Sequence, residues 1–555
     1  MIRAYINATT KAVTRAVIPV NFNLCPEYTS VLGTMPTLPS LPDKINQNQL
    51  LKDLVDLGVY TKAEFIDIFA TPSSDASLIN WANPGTFTPA LVSTPAFEAY
   101  AGYTGASTGN KCVRLNFNPA VDAIKTTKDN FTAIIGVCND IDETFRDFGA
   151  SDGKTHIGIR SKLTNQSLMY ANDTNVQYVT NTNGKAHYAI GRATSASKIE
   201  SINDFYNNPL SASSAAILNY ELYAAGRKIY GAAEASNRQI AYVMYFSALT
   251  KYEINKVIVA AETYLRKYGN GLISVPFVYD VPSTKLEMVL PSLGVEDGIA
   301  VHPSVVNIGY QWNGYQYWMA NTPLPQTSEY PHIYASHDGI NWVVPTGLTN
   351  PIIPVVGGLT FAPDPELYFE NNTLYCFFKY NPLGVSSIVS YVKSTDGITW
   401  TERVDTNIDA SNSRSQTIVK NGANYYMYEQ VGDTAVIRRH TSTSIEGSWG
   451  NTVNITINGR ISPTAQHIHV IKIGDYFYIT QGADQSINIA HSLDGLTFEN
   501  NINLISRTES WELGFYRPSM MVDVNNNVYL YYSHFASAIG GDYKTARVKL
   551  EILTP

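Results

Sequence analysis

A mainly β chain is predicted: a two-sheet sandwich followed by a five-bladed β-propeller, with an extended N-terminal arm and short helices. Three observations predict it. Of 555 residues only 15% are charged while 12% are aromatic, and 37 tyrosines nearly match the 39 lysines and arginines together. Such a composition favours strands, polar turns and aromatic surfaces. Short alternating segments between Gly, Asn and Ser turns fill residues 75–248, and from residue 276 onward one strand–turn–strand motif returns five times.

Residues 1–45 alternate apolar and polar positions ("AVTRAVIPVNFNL") and end in the Pro-rich "TMPTLPSLPDK". They read as an extended arm and linker with no core of their own. Residues 46–74 come next as a short helical segment. "NQNQLLKDLVDLGVYTKAEFIDIFA" is expected to make two amphipathic helices split at Gly58, the second opened by a Thr61–Glu64 capping box. Residues 75–270 carry "CVRLNFNP", "FTAIIGVC", "THIGIRS" and "RQIAYVMYF", short strands at sandwich spacing. They close on a helix capped by Thr250 and Glu253, striped by Ile254, Val257, Ile258, Ala261, Tyr264 and Leu265, and stopped by Gly269.

In residues 271–555 the repeated copies are "HPSVVNIGYQWNGYQYWMA", "DPELYFENNTLYCFFKY", "SQTIVKNGANYYMYEQ", "HIHVIKIGDYFYITQ" and "RPSMMVDVNNNVYLYYS". Their turns fall at Gly314, Asn372, Gly422, Gly474 and Asn526, one blade per copy. A ring must close, and "TKLEMVL" at 284 with "ARVKLEIL" at 546 are the expected partners. Interleaved are "SHDGINW", "STDGITW", "SLDGLTF" and a degraded "SIEGSW". Their aspartates should cap tight turns that glycine permits, with the aromatic packing between blades. These turns resemble the Asp-box-like hairpins of sialidase-type propellers, which implies a structural role.

Net charge is −8 with no Lys/Arg cluster to follow a phosphate backbone, so nucleic acid is not an expected partner. No stretch of about 18 apolar residues occurs, so membrane insertion is not expected, and the N-terminus lacks the pattern of an export signal. Cys25, Cys112, Cys138 and Cys376 show no metal or redox spacing and read as free thiols. "INWANPGTFTPALVSTPAFEAYAGYTG", "AHYAIGRATSAS" and "SALTKYEINKVIVAAETYLRKYG" resemble the laminin-G or concanavalin-A-like jelly rolls of many bacteriophage structural proteins. That resemblance implies a sandwich that often binds carbohydrate.

Alignment of the five copies places His302, Asp364, Ser415 with Arg414, His467 and Arg517 at one mouth of the propeller axis. The motifs there resemble glycoside hydrolase family 43 propellers. That resemblance implies an Asp base in the first blade, an orienting Asp in the second and a Glu acid in the third. "FAPDPEL" puts Asp364 at the second position, but His302 stands at the first and no Glu occurs around Arg414 and Ser415. Glycoside hydrolysis normally needs two carboxyl groups. Asp364 and Glu329 remain the catalytic candidates, with Glu509 and Glu512 as further carboxylates. The plainer reading has Asp364 capping its own turn and pairing with Arg517 or a histidine.

His467 and His469 are spaced i, i+2, but no third ligand stands near them in sequence, so a hydrogen-bonding pair is expected and no metal. Trp312 and Trp511, on turns, are the candidate sugar-stacking rings. "CNDIDETFRD" at 138–147 is a candidate calcium loop, but it lacks the Gly and final Glu of an EF-hand and reads better as a solvated turn, so no cofactor is expected.

The parts together suggest a virion appendage, a head or tail fibre or tail-associated protein, that binds host-surface carbohydrate without catalysis. Its arm would dock on other virion proteins, it would assemble as a homo-oligomer in the host cytoplasm, and it would reside on the extracellular particle. The alternatives are a phage-borne depolymerase of family-43-like type and a secreted cellular glycan-binding protein.

Overall fold

The structure is a computed structural model, and it describes residues 23–553 apart from 174–176, 182, 196, 203–213, 275, 292–299, 324–328, 355–360, 383–385, 433–435, 459–466, 484 and 537–542. Residues 1–22 of the predicted arm lie outside the described residues. The described remainder of the arm carries helix where an extended chain is expected: Pro26–Leu32 is a helix, and Leu41–Asp56 begins within it. Prolines sit in the first turn of each, where the missing N–H is no loss, and Ser40 caps the second by accepting from Asp43 N.

The second helix expected after Gly58 is instead a strand, Ala63–Ile68, paired with Gln239–Phe246. The Thr61–Glu64 capping pattern fails because the Glu64 carboxylate is taken by a distant loop. It accepts from the backbone N–H groups of Ile124, Lys125 and Thr126 at 2.9, 2.5 and 2.9 Å.

Two sheets then face each other. One runs Ser197–Ile202, Ala186–Thr194, Phe131–Val137, Gln239–Phe246, Gly102–Thr104, Ala96–Glu98; the other is built around Gln166–Asp173, His156–Leu163 and Phe148–Ser151. The two-residue period decides which side chain goes where. On Phe131–Val137 and Gln239–Phe246, Ala133, Ile135, Val243 and Tyr245 point between the sheets. Ile134, Tyr242, Met244 and Phe246 point out, under the helices.

The covering helix Lys251–Arg266 has the full Thr250/Glu253 capping box, and every residue of its predicted stripe is buried. It packs with Leu50, Leu51 and Leu54 of the earlier helix and with Phe277 and Tyr279 of the next unit. Lys256 Nζ meets Glu551 at 3.0 Å across that junction.

The rest of the chain is propeller-like: successive sheets, three of them four-stranded antiparallel meanders, one in which Phe277–Glu287 joins the last three strands, and one that adds the parallel strand Thr456–Ile457. Their first strands, Ala300–Trp312, Glu366–Glu370, Ser413–Asn421, His467–Ile473 and Gly514–Val522, pack around one centre. Phe277–Glu287 pairs with Tyr543–Leu553, and Glu287 faces Ala546, so the predicted partners do close the ring.

The three full Asp-turns act as caps. Asp338 accepts from Ile340 and Asn341 N at 2.8 Å, Asp396 from Ile398 and Thr399 N at 2.8 and 2.7 Å, and Asp494 from Leu496 and Thr497 N at 2.7 and 3.0 Å. Each turn glycine is also where the neighbouring sheet locks on. Tyr531 donates to Gly339 O and Tyr428 to Gly495 O, both at 3.0 Å, and the Trp318 ring lies where Gly397 would carry a Cβ.

Candidate functional site

The strand period builds the site. Residues two apart on the innermost strands form two polar tiers on the axis: His302, Asp364 and His467 in one, Ser304, Glu366, Thr417 and His469 in the next. All are buried, and Arg517, fully buried, spans both tiers. Its Nη1 donates to Asp364 Oδ1 at 3.2 Å and its Nη2 to Pro365 O at 3.0 Å, with Glu366 Oε2 3.5 Å away.

Two tier residues sit in the left-handed region, His302 at φ 59° and Asp364 at φ 60°. This costs a residue other than glycine about 1–2 kcal/mol. Such strain persists only where the surroundings hold it, and it clusters at functional positions. Here the hold is explicit: His302 N donates to Ser533 Oγ at 3.1 Å, and Gln416 Nε2 donates to Asp364 O.

In the upper tier, Asp364 Oδ1 lies 3.7 Å from His302 Nε2 and 3.2 Å from His467 Nδ1. Among the described residues neither His302 Nε2 nor His467 Nε2 has a hydrogen-bond partner, while His302 Nδ1 is held 2.9 Å from Thr322 Oγ1. Burial raises the Asp364 carboxyl, but the two histidines and Arg517 outweigh it and hold the group well below the usual carboxylate range. Burial depresses His302 to about 3 and lowers His467 as well, so both imidazoles are neutral at physiological pH.

Two neutral imidazoles and an ionised carboxylate, with ligand atoms all within 4.8 Å of one another, make a donor set for a divalent cation. Tetrahedral bonds of about 2.1 Å would set ligand atoms about 3.4 Å apart, between the two distances observed. The Thr322 contact to the second nitrogen of His302 is the outer support such ligands usually have. Arg517 on the same carboxylate oxygen opposes a cation, and Glu366 beneath it offsets part of that charge.

His469 belongs to the lower tier. Its Nδ1 accepts from Met520 N at 3.1 Å, which leaves its Nε2 proton facing Glu366 Oε1 at 3.7 Å. The expected His467/His469 pair is therefore split between tiers. The missing third ligand comes from other sheets, as His302 and Asp364.

Several sequence candidates meet here and others do not. Glu329 stands at the mouth, its carboxyl pushed up to about 7 by burial and then by the Asp364 charge. Arg414 is exposed on the rim, within electrostatic reach of His467. Ser415 Oγ bonds the backbone of Ile468 instead of facing a ligand.

Trp312 is not a surface platform. It ends its strand roughly 30 Å from His302 at strand rise, buried edge-on against Trp318 and Phe369. Trp511 is half-buried against His534. Glu512 is a structural anchor, accepting from Lys285 Nζ, Tyr532 Oη and Thr508 N at 2.8, 2.7 and 2.9 Å.

The acidic loop at 138–147 offers little to calcium. Asp140 accepts from Lys162 Nζ and Gly184 N, and Glu143 from Asn237 and from Thr144 N. Sequence reasoning misses Glu366 and Tyr516 as site residues. The signal for Glu366 is its place two residues after Asp364; Tyr516, directly before Arg517, carries none.

No family profile matches the chain. A stretch of 61 residues is 49% identical to an "A type blood N-acetyl-alpha-D-galactosamine deacetylase" of Flavonifractor plautii, covering 10% of this chain and 8% of that enzyme. Among solved structures, an N-acetylgalactosamine deacetylase from F. plautii in complex with blood group B trisaccharide aligns over 49% of this chain and 95% of its own, at 19% identity and TM-score 0.42. The GH43 protein BlXynB of Bacillus licheniformis aligns over 49% and 54%, at 15% identity and TM-score 0.34. The chain is mainly β by its own strands, and family 43 glycoside hydrolases are among the solved structures it is similar to.

Proposed function

We propose that the chain is a carbohydrate-directed hydrolase whose reacting centre is the axial mouth, with His302, Asp364 and His467 holding a divalent cation. The observation that carries this reading is the convergence of those three buried side chains, two of them with unpartnered nitrogens. When bound, such a cation supplies Lewis acidity to a water or a carbonyl oxygen. The chain's own groups do the rest. Arg517 and Gln416 hold Asp364 in place. Glu329, ionised in part near neutrality, is suited to take and return a proton.

The substrate class is taken from the Flavonifractor relative, whose name specifies deacetylation of N-acetylgalactosamine. For an N-acetyl amino sugar, water adds at the acetyl carbon, the C–N bond breaks, acetate leaves and the freed amine takes the proton. Glycosidic cleavage by an Asp364/Glu329 pair fits less well, because Asp364 is already engaged by Arg517.

We further read residues 75–270 as a jelly-roll sandwich and 271–555 as a five-bladed propeller, supported by the two facing sheets and the successive meanders. A second reading keeps the axial mouth as a non-catalytic sugar site on a virion appendage, docked through the N-terminal segment and present in several copies. It is favoured by His302 and Arg414 standing where family 43 carries carboxylates.

The test uses the full chain, stripped with a chelator and reloaded with Mn²⁺, Co²⁺ or Zn²⁺. Acetate release from an N-acetylgalactosamine-terminated trisaccharide and reducing-end release from xylotriose are recorded together, with metal content. The proposal expects about one metal per chain, lost in His302→Ala and His467→Ala, and acetate as product. Binding without either product would support the second reading, and a chain that retains no metal would refute the metal assignment.

A further inference from the structure

The axial cluster is flanked on one side by a run of aromatic rings. Tyr516 lies 4.3 Å from the His467 ring and 5.5 Å from His302. From Tyr516 the run continues to Tyr543 at 5.3 Å and Phe535 at 6.1 Å, which are themselves 4.7 Å apart. Strand alternation explains why these rings are only half-buried. Phe515 and His534 point inward and are buried, so their neighbours Tyr516 and Phe535 turn to the mouth, half-buried. Phe535 and Tyr543 are direct cross-strand partners, which holds the two rings together. Tyr516 is fixed by its backbone, whose carbonyl lies against Gly482 where a Cβ would stand.

We infer that Tyr516, Phe535 and Tyr543 form a stacking subsite for a second sugar ring, next to the one at the axial cluster. The inference rests on the carbohydrate-directed reading of the axial mouth. A pyranose presents a CH-rich face to an aromatic ring and hydroxyls at its edge, and tyrosine serves such half-wet contacts because its body is apolar and its tip polar. Polar partners for those hydroxyls are near: Asp364, Glu329 and Arg414 lie within electrostatic reach of the Tyr516 hydroxyl. Substrate length then becomes a determinant of affinity. An oligosaccharide engages both the cluster and the wall, and a monosaccharide only the cluster.

The test is calorimetric titration of the full chain with N-acetylgalactosamine and with an N-acetylgalactosamine-terminated trisaccharide, for wild type, Phe535→Ala, Tyr543→Ala and Tyr543→Phe. Loss of one stacking ring should weaken the trisaccharide about tenfold and the monosaccharide far less, and Tyr543→Phe, which keeps the ring, should restore most of the affinity. Thermal melts of each variant separate a fold defect from a binding defect. Equal weakening of both sugars, or trisaccharide affinity unchanged in both alanine variants, overturns the subsite while leaving the axial reading intact. If the wild type binds neither sugar and releases no product, the axial reading falls and the subsite falls with it.

Discussion

Replacing Arg517 by methionine tests the electrostatic logic of the axis. The side chain is fully buried and is the cation that spans the Asp364 and Glu366 carboxyls. Methionine fills much of the volume but leaves both acids without their counter-charge, and breaking a buried pair in this way costs about 3–5 kcal/mol. For the propeller-like unit of about 280 residues, unfolding entropy near 2.1 cal/mol/K per residue gives about 0.6 kcal/mol/K, so Tm should fall about 5–8 °C.

The loss should also depend on pH. In the wild type Asp364 is held below its usual range, so its contribution is full above about pH 4 and fades only as pH falls through the depressed value. In the variant Glu366, which burial already raises and Arg517 chiefly opposes, moves further above its unfolded value, while His302 and His467 still hold Asp364 down. The stability of the protonated form is then lost as pH rises, and the deficit should be larger at pH 8 than at pH 5. Scanning calorimetry of both proteins at the two pH values reads this directly. A fall of less than about 2 °C at pH 8, or equal falls at both pH values, would refute the reasoning.

The turn glycines offer a matched pair: Gly397 and Gly347 both have positive φ, 72° and 92°, but only Gly397 has the Trp318 ring where a Cβ would stand. Gly347→Ala should cost about 1 kcal/mol and Gly397→Ala about 3 kcal/mol in denaturant melts, the difference being the interlock between sheets. Beneath the covering helix, Glu262 accepts from Arg266 Nε at 2.6 Å and Leu272 N at 2.7 Å, with His187 Nε2 2.9 Å away. Burial raises its carboxyl, yet the His187 and backbone contacts outweigh that and bring it down to about 2. Its contribution, about 3 kcal/mol, is present above about pH 4.5 and should be lost as pH falls towards 2, an acid lability that Glu262→Gln removes at the expense of stability at neutral pH.

Local pattern alone determined much of this protein. The apolar stripe of Lys251–Arg266, its Thr250/Glu253 cap, the five repeats, the Asp-turn caps and the pairing that closes the ring are all legible, because each depends on residues a few positions apart or on a period of two or 3.6. The convergence of His302, Asp364, His467 and Arg517 was legible too, since repeat alignment places equivalent residues at one end of equivalent strands.

Where distant partners compete, the local pattern misleads. Thr61–Glu64 has the spacing of a capping box, but three backbone N–H groups at 124–126 claim the carboxylate and the segment becomes a strand. Trp312 sits beside a turn, yet the neighbouring sheet's Phe369 buries it. The third ligand that His467 lacked in sequence exists only once separate sheets are set at their angles around the axis, because atoms within 4.8 Å of one another then come from residues far apart in the chain. Which tier His469 joins, and which rings face the mouth, are likewise set by how the sheets pack against one another, a long-range property that no short window of residues contains.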